Sequence, residues 1–424
     1  MTPDMRIRSF RLGLCAAICT TLVSACTLPA FPSLKRPQPT PAISIDLPLR
    51  TQAQLRDYDL TVKAVRDQYI NQAALAAWQA SVDTYRARVQ AGMDDAKFAS
   101  TLSDLLSTLH DSDLSVIAPA PQSANSPTAT APLGGIGIIA GLPEQNKDRV
   151  LVFAVYAGSP AAQAGIQPHD AIVRINSTPV TFDERDTVLS QIRGQAGTTV
   201  TLTIRTPGQP ARDLTLTRQT ITAQSTFVSK RIEGTNIGYI LPDAASIDQM
   251  PLEIAQALRD LSNAQALDGL VLDLRTTQSL RFPLTDMLGL FVNGAVATLH
   301  TRSAVSKIEV TGKNIAGSQV VPIVILVSDE TRGVAESFAG ILQELGRAKI
   351  IGVQTPGRDA LVTPLTLPNS NATLLVPTGE FRGVKDISWY HTGIKPDIPS
   401  DLMWEQYTDQ SDPQIKQAVQ ALSR

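Results

Sequence analysis

Four residues whose side chains can take part in chemistry lie in one stretch of the chain: Ser328, Glu336, Ser337 and Arg358. A serine hydroxyl acts as a nucleophile when a neighbouring base accepts its proton. Arg358 is not such a base, because a guanidinium stays protonated at any accessible pH. Chemistry in this stretch therefore depends on the elements that place the two hydroxyls.

The pattern of the stretch predicts a strand, a turn, a helix and a second strand. Val321 to Val327 is a continuous apolar run, which is typical of a strand buried on both faces of a sheet, and Ser328 to Gly333 interrupts it. Apolar residues then recur at helical spacing from Val334 to Leu345, and Gly346 is a typical helix stop. Helix N–H groups point at whatever lies in such a turn, so the turn is well placed for chemistry.

This stretch resembles the centre of the C-terminal processing (tail-specific) serine peptidases, which are PDZ-containing enzymes with a Ser/Lys dyad. In that family the nucleophilic Ser lies three residues before a Glu, and the general-base Lys follows 25 residues after the Ser. With Glu336 as that Glu, the resemblance assigns the nucleophile position to Gly333 and the base position to Arg358. Gly333 has no side chain and Arg358 is not a base, so the resemblance predicts a catalytically degenerate member with no catalytic residues.

A third active-site feature of the family, besides the nucleophile and the base, is also altered in this sequence. The strand predicted at Leu267 to Arg275 runs, in the family, into an Asn-Pro-Gly-Gly sequence whose backbone helps to hold the oxyanion and shape the substrate slot. Here Thr276 to Ser279 follows and contains no Gly.

Other nucleophiles and bases stay open as alternatives. Ser337 lies one helical turn beyond Gly333, roughly 5 to 6 Å away, and Ser328, His300 and His391 qualify only by residue type. A relocated Ser/His site is therefore a less favoured interpretation.

Arg358 itself has three open roles. The first is binding of a peptide carboxylate, and the second is an ion pair with Glu336 or Glu344. The third is that of a solvated or scaffold residue.

Residues Gly134 to Arg218 resemble a PDZ domain in its bacterial arrangement, with a groove-lining helix at Asp183 to Ile192. The resemblance implies that an extended peptide adds as a strand to the edge after Gly137, while N–H groups of the glycine-rich loop hold its terminal carboxylate. The alternative for this loop is an ordinary tight turn. The predicted peptide-binding residues are Leu133, Gly134, Gly135, Ile136, Gly137, Val188, Leu189 and Ile192.

Apolar residues at steps of three and four predict three amphipathic helices between Leu55 and Leu109, with their aromatic residues in a core. The segment ends at Leu109 to Asp113, where His110 is interpreted as a surface or capping residue. The expected fold class is multidomain α/β: a helical region, a PDZ domain and a crotonase-like, tail-specific-protease α/β domain. The predicted boundaries are 1–26 signal peptide with lipobox, 27–50 linker, 51–117 helical region, 131–221 PDZ domain and 225–424 peptidase-like domain.

The N-terminal sequence and the composition address location and partners. Met1 to Cys26 resembles a secretory signal that ends in a lipobox, Val23 to Cys26, with Cys26 as the lipidated residue; a signal peptide cut after Ala25 is the alternative. A net charge of -2, from 37 basic and 39 acidic residues, gives no basic field for nucleic acid. The four His and the Cys positions show no metal-ligand spacing, so no metal or cofactor is expected.

Together these patterns predict an exported protein, lipid-anchored in the bacterial cell envelope, that binds protein C-termini or extended peptides as a scaffold or regulator. An envelope protease is one expected partner. The alternative function is a serine endopeptidase that cleaves near C-termini with a non-standard site, and a decayed gene product is a third interpretation.

Overall fold

The computed structural model describes residues 47–117, 133–141, 148–181, 190–222, 225–243, 247–279, 281–400, 403–409 and 411–423. The predicted signal peptide with Cys26 lies outside these ranges, as do Val188 and Leu189 of the predicted groove helix. Within the ranges, no helix is both long enough and apolar enough to cross a membrane.

The N-terminal region contains the three predicted helices: α1 (Leu49–Gln68), α2 (Leu75–Gln90) and α3 (Asp95–Ser107). The Asp94 side chain caps α3 by accepting a hydrogen bond from Lys97 N at 2.7 Å. α1 begins at Leu49, so the helical region starts slightly before the predicted boundary at residue 51. Four of the aromatic residues are core residues, as predicted: Tyr58, Tyr69, Trp78 and Phe98 are buried together, whereas Tyr85 is half-buried against the same core. A short strand, β1 (Ser115–Ile117), follows.

The PDZ domain is an antiparallel sheet in the order β3, β4, β5, β8, β9, with β6 paired to β5 and a separate pair formed by β2 and β7. A one-turn helix, α4 (Pro160–Gln163), lies between β4 and β5 and is capped by Ser159. The strands are β2 (Leu133–Gly134), β3 (Ile138–Gly141), β4 (Val150–Val155), β5 (Ala171–Ile175), β6 (Thr178–Pro179), β7 (Gly194–Gln195), β8 (Thr199–Arg205) and β9 (Arg212–Thr217).

The C-terminal domain is built on a six-stranded sheet in the order β10, β11, β12, β16, β18, β21, parallel from β11 onward. The sheet strands are β10 (Val228–Arg231), β11 (Ile237–Leu241), β12 (Gly269–Asp273), β16 (Ile323–Val327), β18 (Ala348–Gly352) and β21 (Ile398–Pro399). The helices are α5 (Met250–Ser262), α6 (Leu284–Phe291), α7 (Val334–Glu344) and α8 (Pro413–Leu422).

Strand β16 explains the continuous apolar run in the sequence. Ile323, Ile325 and Val327 face a large core that contains residues of α5, α6 and α7, whereas Val324 and Leu326 face a second core beside α8. Successive side chains of a strand point to opposite faces, so both faces of β16 must be apolar. The strand, turn, helix and strand predicted for this stretch are confirmed.

A five-stranded antiparallel sheet, which the sequence patterns did not predict, joins the helical region to the C-terminal domain. Its longest strand, β20 (Thr373–Gly383), pairs with β1, with β14 (Gly294–Thr301) and with β19 (Leu361–Thr366), and β15 (Val305–Val310) extends β14. Residues of α7 also lie against β20. The sheet therefore places the end of the helical region beside the turn that precedes α7.

Candidate functional site

The turn after β16 is fastened to the end of β12. Ser328 Oγ donates to the carbonyl of Arg275 at 2.6 Å, and Thr331 Oγ1 donates to the carbonyl of Leu274 at 2.9 Å. The hydroxyl of Ser328 is therefore engaged by the backbone rather than by a base.

Two short strands follow, β13 (Gln278–Ser279) and β17 (Arg332–Gly333), and they pair in parallel with Ser279 opposite Gly333. Arg332 N also donates to the carbonyl of Thr277 at 3.0 Å. Thr276 to Ser279 takes the place of the family's oxyanion-holding Asn-Pro-Gly-Gly sequence, and this segment thus lies directly beside Gly333.

Gly333 caps α7 with φ 73° and ψ -156°. This region of the backbone map is essentially restricted to glycine. Its N–H donates to the carbonyl of Arg358 at 2.8 Å, so the positions assigned to nucleophile and base are in contact through their backbones.

The guanidinium of Arg358 contacts the end of the helical region. Its Nε lies 3.2 Å from Asp113 Oδ1, and its Nη2 donates to the carbonyl of Ser112 at 2.7 Å. The carboxylate in this ion pair is Asp113, so the expectation of a side-chain pair with Glu336 or Glu344 is wrong. Glu344 instead accepts from Lys385 N at 2.7 Å.

Glu336 holds the loop that carries Arg358. Its two carboxylate oxygens accept hydrogen bonds from Gly357 N at 3.0 Å and Arg358 N at 2.7 Å. Burial and the nearby Asp359 raise the pKa of Glu336 to about 9, against the lowering effect of the two N–H groups. Glu336 is therefore an internal clamp between α7 and the loop.

Ser337, the alternative nucleophile, is inaccessible. Its Oγ donates to Asp359 Oδ2 at 2.8 Å, and neither residue has exposed surface. Burial raises the pKa of Asp359 to about 7, with a further increase from Asp113. A peptide bond cannot reach the Ser337 hydroxyl without a rearrangement of the core, so this structure does not support that alternative.

Asp111 and Asp113 complete a buried acidic cluster that we define as Asp111, Asp113, Glu336 and Asp359. Asp111 accepts hydrogen bonds from the hydroxyls of Tyr69, at 2.8 Å, and Tyr390. Burial raises the pKa of Asp113, and the Arg358 guanidinium opposes that increase. Neither aspartate was assigned a role from the sequence. The available signal was their position between apolar Leu109 and Leu114.

The histidines do not complete a Ser/His arrangement. His300 Nε2 lies 3.0 Å from Thr298 Oγ1, and the His391 ring stacks on Tyr390 with centroids 3.8 Å apart. His110 is exposed, as expected. Among the residues that the structure describes, no serine hydroxyl hydrogen-bonds to either His300 or His391, and no cluster of three His, Cys, Asp or Glu is arranged to hold a metal.

The PDZ domain has an open groove of about 400 Å³ along β3. In the described part of the chain, the N–H groups of Ile136 and Gly137 donate no hydrogen bond, and both residues line the groove. Leu133, in β2, pairs through its backbone with Gln195 in β7. The groove is lined by Gly134 to Ala140, Tyr156, Ile192, Arg193 and Ile221. The lining residues that were not named from the sequence are Ile138, Ile139, Ala140, Tyr156, Arg193 and Ile221.

The PDZ domain is docked on the C-terminal domain by the segment around Trp404. The Trp404 ring stacks on His169, with centroids 3.9 Å apart, and its Nε1 donates to the carbonyl of Val152 at 2.9 Å. His169 is itself buried, with Nδ1 2.8 Å from the Trp404 carbonyl and Nε2 2.9 Å from Asp409 Oδ1. These contacts hold the PDZ domain against the C-terminal domain.

Comparisons with known proteins agree with this architecture. The family model of peptidase family S41 matches residues 236–400, and a PDZ domain model matches residues 151–206. The carboxyl-terminal-processing protease of Synechocystis sp. is 28% identical over 76% of this chain and 76% of its own length. The carboxy-terminal processing protease CtpA of Bacillus subtilis is 28% identical over 65% of this chain, and the match spans 58% of that protein.

The fold also matches a solved structure, that of the photosystem II D1 C-terminal processing protease. The TM-score is 0.58 at 21% identity, over 82% of this chain and 93% of that one. The helical region, the PDZ domain and the domain with the six-stranded sheet occur in this order along the chain. With the sequence matches, they identify residues 236–400 as a domain of peptidase family S41 and support the C-terminal processing peptidases as the family that this chain resembles along its length.

Proposed function

We propose that this chain is a non-catalytic member of its family, a pseudoprotease that binds protein C-termini or extended peptides as a scaffold or regulator. The observation that carries the proposal is the pair Gly333 and Arg358. The first has no nucleophile, and the guanidinium of the second is ion-paired to Asp113 at 3.2 Å. A dyad needs a hydroxyl and a neutral amine, and this pair supplies neither.

The groove supports the binding half of the proposal. The edge of β3 that faces the groove is not part of the β3–β4 pairing, so an extended peptide can add there as a strand. The N–H groups of Ile136 and Gly137 lie at one end of that edge, where they can hold a terminal carboxylate.

The second candidate function is an active serine endopeptidase with a non-standard site. The observation in its favour is that the similar proteins of Synechocystis sp. and Bacillus subtilis are named as proteases. It requires a nucleophile other than Gly333. Ser337 is sealed in the core, and Ser328 is bonded to the Arg275 carbonyl.

The deciding experiment is proteolysis by the soluble chain from Thr27 onward, purified to homogeneity, on unstructured protein substrates with varied C-termini. We expect no turnover, together with measurable binding of the same C-termini. Turnover that persists through purification and disappears in Ser337→Ala or Ser328→Ala would establish the endopeptidase instead. Arg212→Ala, far along the sequence from the turn, is the matched control for handling and stability.

We further propose that the protein is exported and anchored in the bacterial cell envelope through lipid on Cys26, where its partners include an envelope protease. The support is the sequence pattern that ends in Val23 to Cys26. Incorporation of radiolabelled palmitate, lost in Cys26→Ala, is the expected result. An unlabelled native protein released into the soluble fraction would favour cleavage after Ala25.

A further inference from the structure

Ile221 lines the peptide groove although it lies in the segment that leaves the PDZ domain, between β9 and β10. Two residues earlier, Gln219 forms an isolated antiparallel bridge with Gly135. Gly135 N donates to the Gln219 carbonyl, and Gln219 N donates to the Gly135 carbonyl, both at 2.9 Å. The departing segment is therefore held in register beside the glycine loop.

The side chain of Ile221 lies directly against that loop. A Cβ built on Gly135 is 3.6 Å from Ile221 Cγ1, and a Cβ built on Gly137 is 3.5 Å from Ile221 Cδ1. A methyl group added at either glycine would therefore meet the isoleucine at an ordinary van der Waals distance, so the Ile221 side chain borders the loop at one end of the groove.

Ile221 does not serve as a core residue of the part of the chain that the structure describes. It is half-buried and belongs to none of the apolar cores there, including the core of the PDZ domain. Its apolar surface instead shares the groove with Ile136, Ile138 and Ile192. A carboxylate held by Ile136 N and Gly137 N places the last side chain of a peptide among these four isoleucines.

We propose that Ile221 determines which C-terminal residue the groove accepts, by forming the wall of the pocket that receives the terminal side chain. The ligand class is a peptide that ends in a free carboxylate on an aliphatic residue. The proposal rests on the proposed function of the groove in binding C-termini. Because Ile221 belongs to the interdomain segment, the pocket is complete only while Gln219 keeps that segment paired to Gly135.

The test measures fluorescence anisotropy of labelled decapeptides with the full chain from Thr27 onward. The peptides end in Val, Ile, Phe or Ala with a free carboxylate, and each has an amidated counterpart. The variants are Ile221→Ala, Ile221→Trp and, as the matched control, a substitution of the exposed next residue, Thr222→Ala. Thermal unfolding of each variant checks that it is folded, which we expect because Ile221 lies outside the cores.

We expect Ile221→Ala to weaken binding of the Val- and Ile-ended peptides about tenfold, since it removes apolar contact with the terminal side chain. Binding of the Ala-ended peptide should change little, so the discrimination between the peptides falls. Ile221→Trp should exclude the Phe- and Ile-ended peptides more than the Ala-ended one. Thr222→Ala should match the native protein throughout, because its side chain does not line the groove.

Two results overturn the proposal while leaving the proposed function in place: native binding that Ile221→Ala leaves unchanged, or binding that Ile221→Ala tightens for every peptide alike. The second result would mean that Ile221 occludes the groove. A native protein that binds no peptide, or binds the amidated forms equally well, overturns the proposed C-terminus binding and the role of Ile221 with it.

Discussion

Arg358 and Asp113 lie 245 residues apart in the sequence, and their side chains form an ion pair with Nε 3.2 Å from Oδ1. The pair fastens the loop after β18 to the segment after α3. Asp113 also accepts a hydrogen bond from Ala360 N at 3.3 Å on the same loop. The residue at the position assigned to the base therefore acts as the cation that compensates a buried acidic cluster.

The first prediction concerns the stability that this cation supplies. Arg358→Ala leaves Asp113 buried without its ion-pair partner, and we expect the free energy of unfolding to fall by about 3 kcal/mol. Urea unfolding of the soluble chain measures it. The control is Arg281→Ala, which breaks the exposed pair with Asp248 and should cost less than about 1 kcal/mol. Equal losses in the two variants would contradict a compensating role for Arg358.

The second prediction concerns restoration of a dyad. Gly333→Ser with Arg358→Lys should give at most trace proteolysis, because serine is strained at φ 73° and Asp113 favours the charged form of a lysine beside it. Adding Asp113→Asn removes that carboxylate and should increase the rate above that of the double variant. A fully active double variant, measured on the same unstructured substrates, would show that the surrounding scaffold is still preorganised for catalysis.

The local pattern of the sequence was sufficient for the elements around the turn. The apolar run, the break and the helical spacing predicted β16, α7 and β18, because each of these elements is stabilised by its own periodic contacts with the cores. The lack of a nucleophile at the family's nucleophile position also follows from the sequence alone, because the spacing from Glu336 assigns that position to Gly333.

The partners of Arg358 could not be predicted in the same way. The pairing of β1 with β20, which brings Asp113 to the loop, joins segments more than 250 residues apart and leaves no local pattern. The docking of Trp404 on His169 is equally non-local, because the two residues lie 235 residues apart in the sequence. Long-range pairing is decided by the whole core rather than by a periodicity.

The third prediction concerns pH. The pKa of Asp359 is raised from 3.8 to about 7, and that of Glu336 from 4.5 to about 9, so the folded state holds these protons more tightly than the unfolded state. Their contribution to stability is complete below about pH 4 and is lost as the pH rises through 7 for Asp359 and 9 for Glu336. The free energy of unfolding should therefore decrease from pH 5 to pH 8, by up to about 1.4 kcal/mol per pH unit for each group.

Asp359→Asn isolates one of the two groups. The amide oxygen can still accept from Ser337, so the variant should have a shallower pH slope and should be more stable than the native protein at pH 8. Asp268→Asn, at an exposed carboxylate, is the control and should keep the native slope. A native stability that increases from pH 5 to pH 8 would refute the assignment of raised pKa values to this cluster.

The fourth prediction concerns the docking of the PDZ domain through Trp404. Trp404→Ala removes the stack on His169 and the edge contact with Phe153, whose ring centroid is 5.9 Å away, and should lower the free energy of unfolding by about 3 kcal/mol. Trp404→Phe keeps a ring but loses the Nε1 hydrogen bond. Its cost should be about 1 kcal/mol, because the Val152 carbonyl still accepts from His169 N at 3.0 Å. Limited proteolysis should cut between the PDZ and C-terminal domains faster in Trp404→Ala than in Trp404→Phe. Equal cleavage rates in both variants and the native protein would mean that other contacts are sufficient to hold the PDZ domain in place.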